Sequence, residues 1–274
     1  MSNIQSFIRW AGGKSWLVPY IKELTQNINY KNYHEPFMGG ASVFFSLEVK
    51  NQCYLSDIND DLVNAFVALR DNPRKVISYL NKYDTDEKSY YIIRDLEPTS
   101  KYERAARFIY LNANSFNGLY RVNKDGKYNV PYGKRNMMVN PERLLDASKK
   151  LKSAVIVCQD FDKSIDVIQK NDLVFLDPPY TVSKDKNGFI EYNATFFSLD
   201  DQYRLRKFVD EIDKKKAYFI LTNAFHEKIL EIFDGCGRVI CQERNSLIGG
   251  KNSYRGKIQE YIFTNIPEVA EIDG

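Results

Sequence analysis

Leu173-Val174-Phe175-Leu176-Asp177-Pro178-Pro179-Tyr180 is the stretch from which the fold is read. Its apolar part, Leu173–Asp177, has the near-continuous character of a strand buried on both faces, and the two prolines stop it. Ala154–Gln159 and Ala217–Asn223 read in the same way. Tyr33–Phe37 and Gln52–Ser56 are shorter strands, and Arg238–Glu243 and Ile258–Thr264 are two final ones. Helical patterns separate them at Ser15–Gln26, Asn59–Arg70, Pro141–Lys152, Phe161–Lys170, Leu199–Lys215 and Ala224–Phe233. Buried strands alternating with helices predict an α/β fold with a doubly wound, seven-stranded sheet.

The alternation breaks between residues 72 and 140. Pro73–Asn81 and Tyr102–Ser115 have helical spacing and bracket Asp84–Ser100, a polar, turn-rich stretch. Tyr120–Val130 follows, with Asp125-Gly126 between β-prone flanks, a strong hairpin signal. The expected organisation is therefore a sheet domain of residues 1–71 and 141–274, interrupted by a mostly helical insertion, 72–140, that carries a β-hairpin.

Charge is unevenly spread. The chain has a formal net charge of +3, yet residues 111–140 alone carry +4, from Arg121, Lys124, Lys127, Lys134 and Arg135 against Asp125. A second stretch, 244–257, holds Arg244, Lys251, Arg255 and Lys257 with no acid. Two basic islands suit a surface that tracks phosphates, and solvated loops give the same pattern. No apolar run reaches the ~18 residues of a membrane helix. The start, MSNIQSFIRWAGGK, lacks a basic-then-apolar signal pattern, so the expectation is a cytoplasmic protein with no membrane partner. Cys53, Cys158, Cys236 and Cys241 form no C-x-x-C pair, and two histidines, His34 and His226, cannot build a His-rich site, so no metal is expected.

The chemistry-bearing residues lie at strand ends, where open α/β sheets bind ligands. Asp177 offers a carboxylate acceptor, Pro178 and Pro179 fix the backbone and expose carbonyls, and Tyr180 offers an aromatic face. Together they can accept hydrogen bonds from an exocyclic amine and stack on its ring; a rigid turn with a surface tyrosine is the plainer reading. Glu35-Pro36-Phe37-Met38-Gly39-Gly40-Ala41-Ser42 is a glycine turn after a strand, where backbone can approach a ligand closely. Asp57 ends the next strand, 18 residues past Gly39, near the spacing of an acid that binds ribose hydroxyls; it also suits a helix N-cap. Asp160-Phe161 ends another strand and can hold an adenine ring, or act as a helix cap beside a core phenylalanine. Trp10-Ala11-Gly12-Gly13-Lys14-Ser15 is not a triphosphate loop, because Ile8 stands where that motif needs glycine. A tryptophan and a lysine flanking glycines can instead contact a zwitterionic amino acid.

These motifs, in this order, resemble the Dam-type, alpha-group DNA adenine-N6 methyltransferases. The resemblance rests on Trp10-Ala11-Gly12-Gly13-Lys14, Glu35-Pro36-Phe37 with its glycines, Asp177-Pro178-Pro179-Tyr180, and the segment Asn117-Gly118-Leu119-Tyr120-Arg121-Val122-Asn123 through Asn129-Val130-Pro131-Tyr132-Gly133. It runs from residue 7 to about 180, and more loosely to about 263. One departure is Phe37-Met38-Gly39-Gly40-Ala41, where the family more usually has Phe-x-Gly-x-Gly.

The resemblance implies a methyltransferase-type sheet and S-adenosylmethionine as cofactor. It implies contacts from Trp10, Ala11, Gly12 and Lys14 near the methionine part, from the Glu35, Phe37, Gly39 and Gly40 turn, and from Asp57 on the ribose. Asp160 and Phe161 would meet the cofactor adenine, with Asp177 bordering both cofactor and target. Asp177, Pro178, Pro179 and Tyr180 would surround an adenine rotated out of double-stranded DNA. DNA contacts are expected from Asn117, Leu119, Tyr120, Arg121, Asn123, Lys127, Pro131 and Lys134, and from Arg244, Lys251 and Arg255. On the hairpin, Arg121 suits the two acceptors of a guanine or a phosphate. A short palindrome containing GAT, such as GATC, is the implied target, and no obligate protein partner is evident. Methylation of RNA or of a protein amide, and a DNA-binding module with an inactive methyltransferase fold, are the competing readings.

Overall fold

The computed structural model describes residues 4–181, 197–245 and 257–268. Its strands are β1 (Tyr33–Glu35), β2 (Cys53–Asp57), β3 (Ala154–Cys158), β4 (Leu173–Leu176), β5 (Tyr218–Ala224), β6 (Arg238–Asn245) and β7 (Lys257–Thr264). They form one seven-stranded sheet in the order β3-β2-β1-β4-β5-β7-β6. β2 and β3, β1 and β4, and β4 and β5 pair in parallel; β7 is antiparallel to both β5 and β6. The α/β sheet expected from the alternation is the one observed, and it is mixed.

The helices are α1 (Val18–Thr25), α2 (Ser42–Ser46), α3 (Asp60–Asp71), α4 (Pro73–Leu80), α5 (Glu87–Arg94), α6 (Lys101–Asn114), α7 (Pro141–Leu151), α8 (Leu199–Lys214) and α9 (Glu227–Ile232). The chain divides into two compact units, Met1–Val18 with Met38–Gln159 and Pro19–Phe37 with Asp160–Gly274.

In the first unit α3 packs against β2, β3, α6 and α7. Asn59 caps α3 by accepting from the Leu62 N–H, and Asp60 and Asp61 sit at its positive end. Asp84–Ser100, read as turns, contains α5, begun by Asp86 accepting from the Ser89 N–H. The helix hides in the sequence because its apolar face is narrow. Tyr90 and Ile93, three residues apart, enter a small, largely aromatic cluster with Tyr110, Leu111, Tyr128 and Val130. The expected hairpin is reduced to one bridge, Val122 to Tyr128, with backbone bonds from Asn123 N to Lys127 O and from Asn129 N to Arg121 O around Gly126 at φ 74°. β3 is not buried on both faces: it lies at the sheet edge, with Val155 and Val157 exposed.

In the second unit the core gathers Val174 and Leu176 of β4, Phe219 and Leu221 of β5, Leu205, Phe208 and Ile212 of α8, and Phe263 of β7. Phe161–Lys170, expected as a helix, forms only a 3-10 turn over Phe161–Asp166. α8 opens with a capping box in which Ser198 and Asp201 bond reciprocally. The chain passes from β1 outward to β2 and β3 and returns to β4 on the other side of β1. The β1–β4 pair is therefore the topological switch point, and ligands of such sheets bind beside the carboxyl ends there.

Candidate active site

Asp177 to Tyr180 leave the end of β4 at this switch point. Thr222, fully buried on β5, donates through Oγ1 to Asp177 Oδ1 at 2.8 Å. Tyr180 packs partly buried against the core, and its hydroxyl donates to Glu260 Oε2 at 2.7 Å. Glu260 lies on β7 and is 1% exposed. Burial, with the nearby carboxyls of Asp177 and Glu260, pushes the Tyr180 phenol well above its ordinary value, so the tyrosine stays neutral and remains the donor. The next residue, Thr181, is locked as well: its hydroxyl donates to the Phe197 carbonyl and accepts from Gln202, which in turn accepts from Asn223. Buried polar groups tied in this way hold a strand end rigidly.

Glu35 is buried at the end of β1 and accepts from the Tyr33 hydroxyl at 2.8 Å. Phe37 stacks on Phe161, ring centroids 5.1 Å apart and 27° from parallel, with Phe197 edge-on. Asp160 makes no side-chain cap bond. It is instead 2.8 Å from Arg204, which also holds Asp162 and Asp201 and lies over the Phe161 ring at 5.0 Å. The second unit thus brings Phe37, Asp160 and Phe161 together, and adds Arg204.

The first unit gathers the rest of the expected cofactor set. Asp57 Oδ2 accepts from the Gly39 N–H and Oδ1 from the Asn59 N–H, each at 3.0 Å. It is therefore not the N-cap of α3, a place Asn59 takes. Burial raises the Asp57 carboxyl above its ordinary value, and the N–H groups of Asn59, Gly39 and Ile58 offset only part of that. Gly39 lies at φ 43° against Trp10, where a Cβ would overlap the indole. Ala41 takes a left-handed backbone, φ 50°, at the second glycine position of the usual pattern. The turn keeps its shape there at a cost of roughly 1–2 kcal/mol. Ala11 and Gly12 are exposed, Gly12 at φ 81°, while the buried Lys14 ammonium donates to the Gly12 carbonyl at 2.9 Å.

Trp10 stacks on Tyr120, centroids 5.9 Å apart, and the Tyr120 hydroxyl donates to Asp61 at 3.0 Å. Tyr120 thus faces inward, while Arg121 is exposed with its guanidinium on the Asn129 side chain and carbonyl at 2.7 and 3.3 Å. Asn123 shapes the turn by accepting from the N–H groups of Asp125 and Lys127, and Lys127 pairs with Glu97. Asn117 is exposed at φ 56°, and the Phe116 N–H on the Pro131 carbonyl places Pro131 beside it. Leu119 and Lys134 are also exposed. Arg244 lies in β6 opposite Ile258, but its side chain, like Lys251 and Arg255, falls outside the described residues.

Sequence reasoning missed Thr222, Glu260, Arg204 and Phe116. An acid inside the run Ile258–Thr264 was the one available signal for Glu260. Phe116 is 52% exposed beside Asn117, and nothing local distinguishes it from a core aromatic. Among the described residues no cluster of His, Cys, Asp or Glu is arranged to hold a metal ion, and no helix is long and apolar enough to cross a membrane.

The switch point of the sheet thus carries a carboxylate and an aromatic ring, each held by a side chain of another strand. Residues 10–247 match the family model for D12 class N6 adenine-specific DNA methyltransferases. The chain is 35% identical to the type II methyltransferase M1.LlaDCHI of Lactococcus lactis, over 96% of each protein. It is 35% identical to the type II methyltransferase M.MjaIII of Methanocaldococcus jannaschii, over 81% of this chain and 85% of that one. It is 33% identical to a DNA adenine methylase of Haemophilus influenzae, over 84% and 82%. The chain belongs to the D12 class of N6 adenine-specific DNA methyltransferases.

Proposed function

We propose that the chain transfers a methyl group from S-adenosylmethionine to N6 of an adenine rotated out of duplex DNA, within a short GAT-containing palindrome such as GATC. The residues suit the cofactor. Gly39 presses on Trp10 with its N–H on Asp57, a turn no Cβ would fit, and Phe37 and Phe161 offer aromatic faces beside Asp160. Trp10, Ala11, Gly12 and Lys14 are assigned to its methionine part, Asp57 to its ribose, and Asp160 with Phe161 to its adenine; Glu35, Phe37, Gly39 and Gly40 shape the surrounding turn. When bound, the cofactor supplies an electrophilic sulfonium methyl.

What the chain's own residues do follows from the chemistry of the amine. The N6 lone pair of adenine is delocalised into the ring, which makes it a poor nucleophile. Hydrogen bonds from its two N–H groups to the Asp177 carboxylate and the Pro178 carbonyl favour a tetrahedral nitrogen, whose lone pair can be aimed at a methyl donor. The catalysis is positioning and electrostatics. Unstacking the base costs a few kcal/mol, and stacking on Tyr180 returns ~1–3 kcal/mol. The observation that carries the reading is the fixed pair Asp177–Thr222 at the end of β4. Asp177→Ala is expected to lose nearly all transfer of labelled methyl to DNA while the fold is retained. Methylation near the parent rate would remove Asp177 from the chemical step.

The insertion, 72–140, is assigned to reading the DNA. Asn117, Leu119, Arg121 and Pro131 are exposed on it, and the exposed Phe116 ring suits stacking against bases. Lys127 and Lys134, with Arg244, Lys251 and Arg255, suit phosphates, which give affinity without sequence choice.

A further inference from the structure

Asp177 and Tyr180 act as a pair, so their relative geometry matters as much as their chemistry. β4 fixes only where the motif begins. The two side chains themselves are held from other strands: Asp177 by Thr222 of β5, and Tyr180 by Glu260 of β7. β5 and β7 are directly paired, with Thr222 opposite Ile262 and Ala224 opposite Glu260. The two anchors thus stand on adjacent strands of one antiparallel ladder, two residues out of register.

We infer that Glu260 and Thr222 are positioning residues, and that Glu260 sets the plane of the Tyr180 ring against the target base by accepting its hydroxyl hydrogen bond. A buried carboxylate is a costly device for orienting a ring, because a hydrophobic core alone could hold one. Packing, however, leaves an aromatic side chain broad freedom about its second torsion. A hydrogen bond at the far end holds the ring axis, and because the phenolic O–H prefers the ring plane, a fixed acceptor favours the plane that contains it. Thr222 does the same for the carboxylate. It occupies one acceptor site on Oδ1 and so fixes the rotation of a group that can accept about four bonds. The inference rests on the assignment of Asp177 and Tyr180 to the chemical step, and it places the function of the tyrosine hydroxyl in orientation.

The arrangement makes an unusual demand on Tyr180→Phe. The ring stays, but Glu260 loses its bond from the phenol. The loss in kcat should then not deepen when the carboxylate is replaced as well, because the bond is already gone. The test is single-turnover methylation of duplex DNA by Tyr180→Phe, Glu260→Gln, Glu260→Leu and the double variants Tyr180→Phe/Glu260→Gln and Tyr180→Phe/Glu260→Leu. Fluorescence of 2-aminopurine at the target position, which drops when the base stacks, is read alongside. Glu260→Gln, which keeps an acceptor oxygen and guards against misfolding, is expected to retain most of the rate. Tyr180→Phe and Glu260→Leu are each expected to lose about tenfold or more in kcat, the scale of a lost bond to a charged group, with the KM for cofactor unchanged. The double variants are expected to be no slower than the slower single variant, with the 2-aminopurine signal of Tyr180→Phe. Strictly additive losses, or a silent Glu260→Leu, would overturn the inference, as would a loss confined to the KM for cofactor. These outcomes are separable from a failure of the site assignment, which shows as an active Asp177→Ala.

Discussion

Asp57, proposed to bind the cofactor ribose, already has a structural duty. Its two oxygens already accept from the Gly39 and Asn59 N–H groups, and this ties the glycine turn to the start of α3. Each oxygen retains a further lone pair, which suits ribose hydroxyls. Its carboxyl is raised by burial, so the folded chain favours the protonated form more than the unfolded chain does. The sign follows for both properties. Stability contributed at Asp57 is fullest below the unfolded pKa and is lost as pH rises through the folded one. On the proposed role, cofactor affinity needs the ionised acceptor and runs oppositely: it is full above the folded pKa and declines as pH falls through it. Asp57→Asn offers one carbonyl oxygen for the two N–H groups. It is expected to weaken S-adenosylmethionine binding by roughly 10- to 100-fold, the scale of a hydrogen bond to a charged group, and to erase this pH dependence. Calorimetric titrations at several pH values measure both, and the same acid decline in the asparagine variant would assign it to another group.

At the scale of elements, the hairpin is the part proposed to bear on specificity. One bridge and two backbone bonds are little to hold a ribbon, and side chains complete it: Asn123 closes the turn, and Asn129 receives Arg121 from across it. Arg121 uses Nε and Nη2 on Asn129, and a guanidinium has five N–H donors in a fixed fork. Donors on Nη1 and Nη2 therefore remain for the two acceptors of a guanine, with the fork already oriented. Arg121→Ala is expected to cost ~1–3 kcal/mol on the proper site and to relax choice at one base pair only. Methylation profiling of a plasmid checks it. An unchanged motif with lower yield at every site would assign Arg121 to a phosphate. Asn129→Ala is expected to move specificity in the same direction by less, since it only loosens the fork.

For the whole molecule, binding of the cofactor is also a statement about stability. A ligand that binds only the folded chain adds about 2.7 kcal/mol when present at 100 times its dissociation constant. In a chain of this size each kcal/mol moves the melting temperature by roughly 2–4 °C, so a rise of about 5–10 °C is expected with saturating S-adenosylmethionine. Asp57→Asn should lose most of that rise, and Asp177→Ala should keep much of it if its first duty is to the target amine. Thermal scans with and without cofactor check both. A full shift in the Asp57 variant would remove that residue from the cofactor site.

The sequence by itself determined the seven strands and the acids and glycines at the strand ends. It did so because strand period, prolines and turn glycines act over a few residues. Where the pattern was thin it gave less. α5 exposes a polar face and buries chiefly Tyr90 and Ile93, so its reality depends on aromatic partners some 20 to 40 residues further on. The 3-10 turn at Phe161 and the exposed valines of β3 likewise follow from position in the fold, since neighbours on the sheet decide which face is covered. Asp57 was legible as a strand-end acid, but only the chain path could give the N-cap place to Asn59. The motif at Asp177–Tyr180 was legible for the same local reasons. Its anchors were not: Thr222 lies 45 residues beyond Asp177, and Glu260 lies 80 beyond Tyr180, on strands whose residues read as ordinary core. Only the antiparallel return of β7 beside β5 brings a carboxylate to the tyrosine hydroxyl, because strand order is fixed by burial across the whole sheet and not by any stretch of the chain alone.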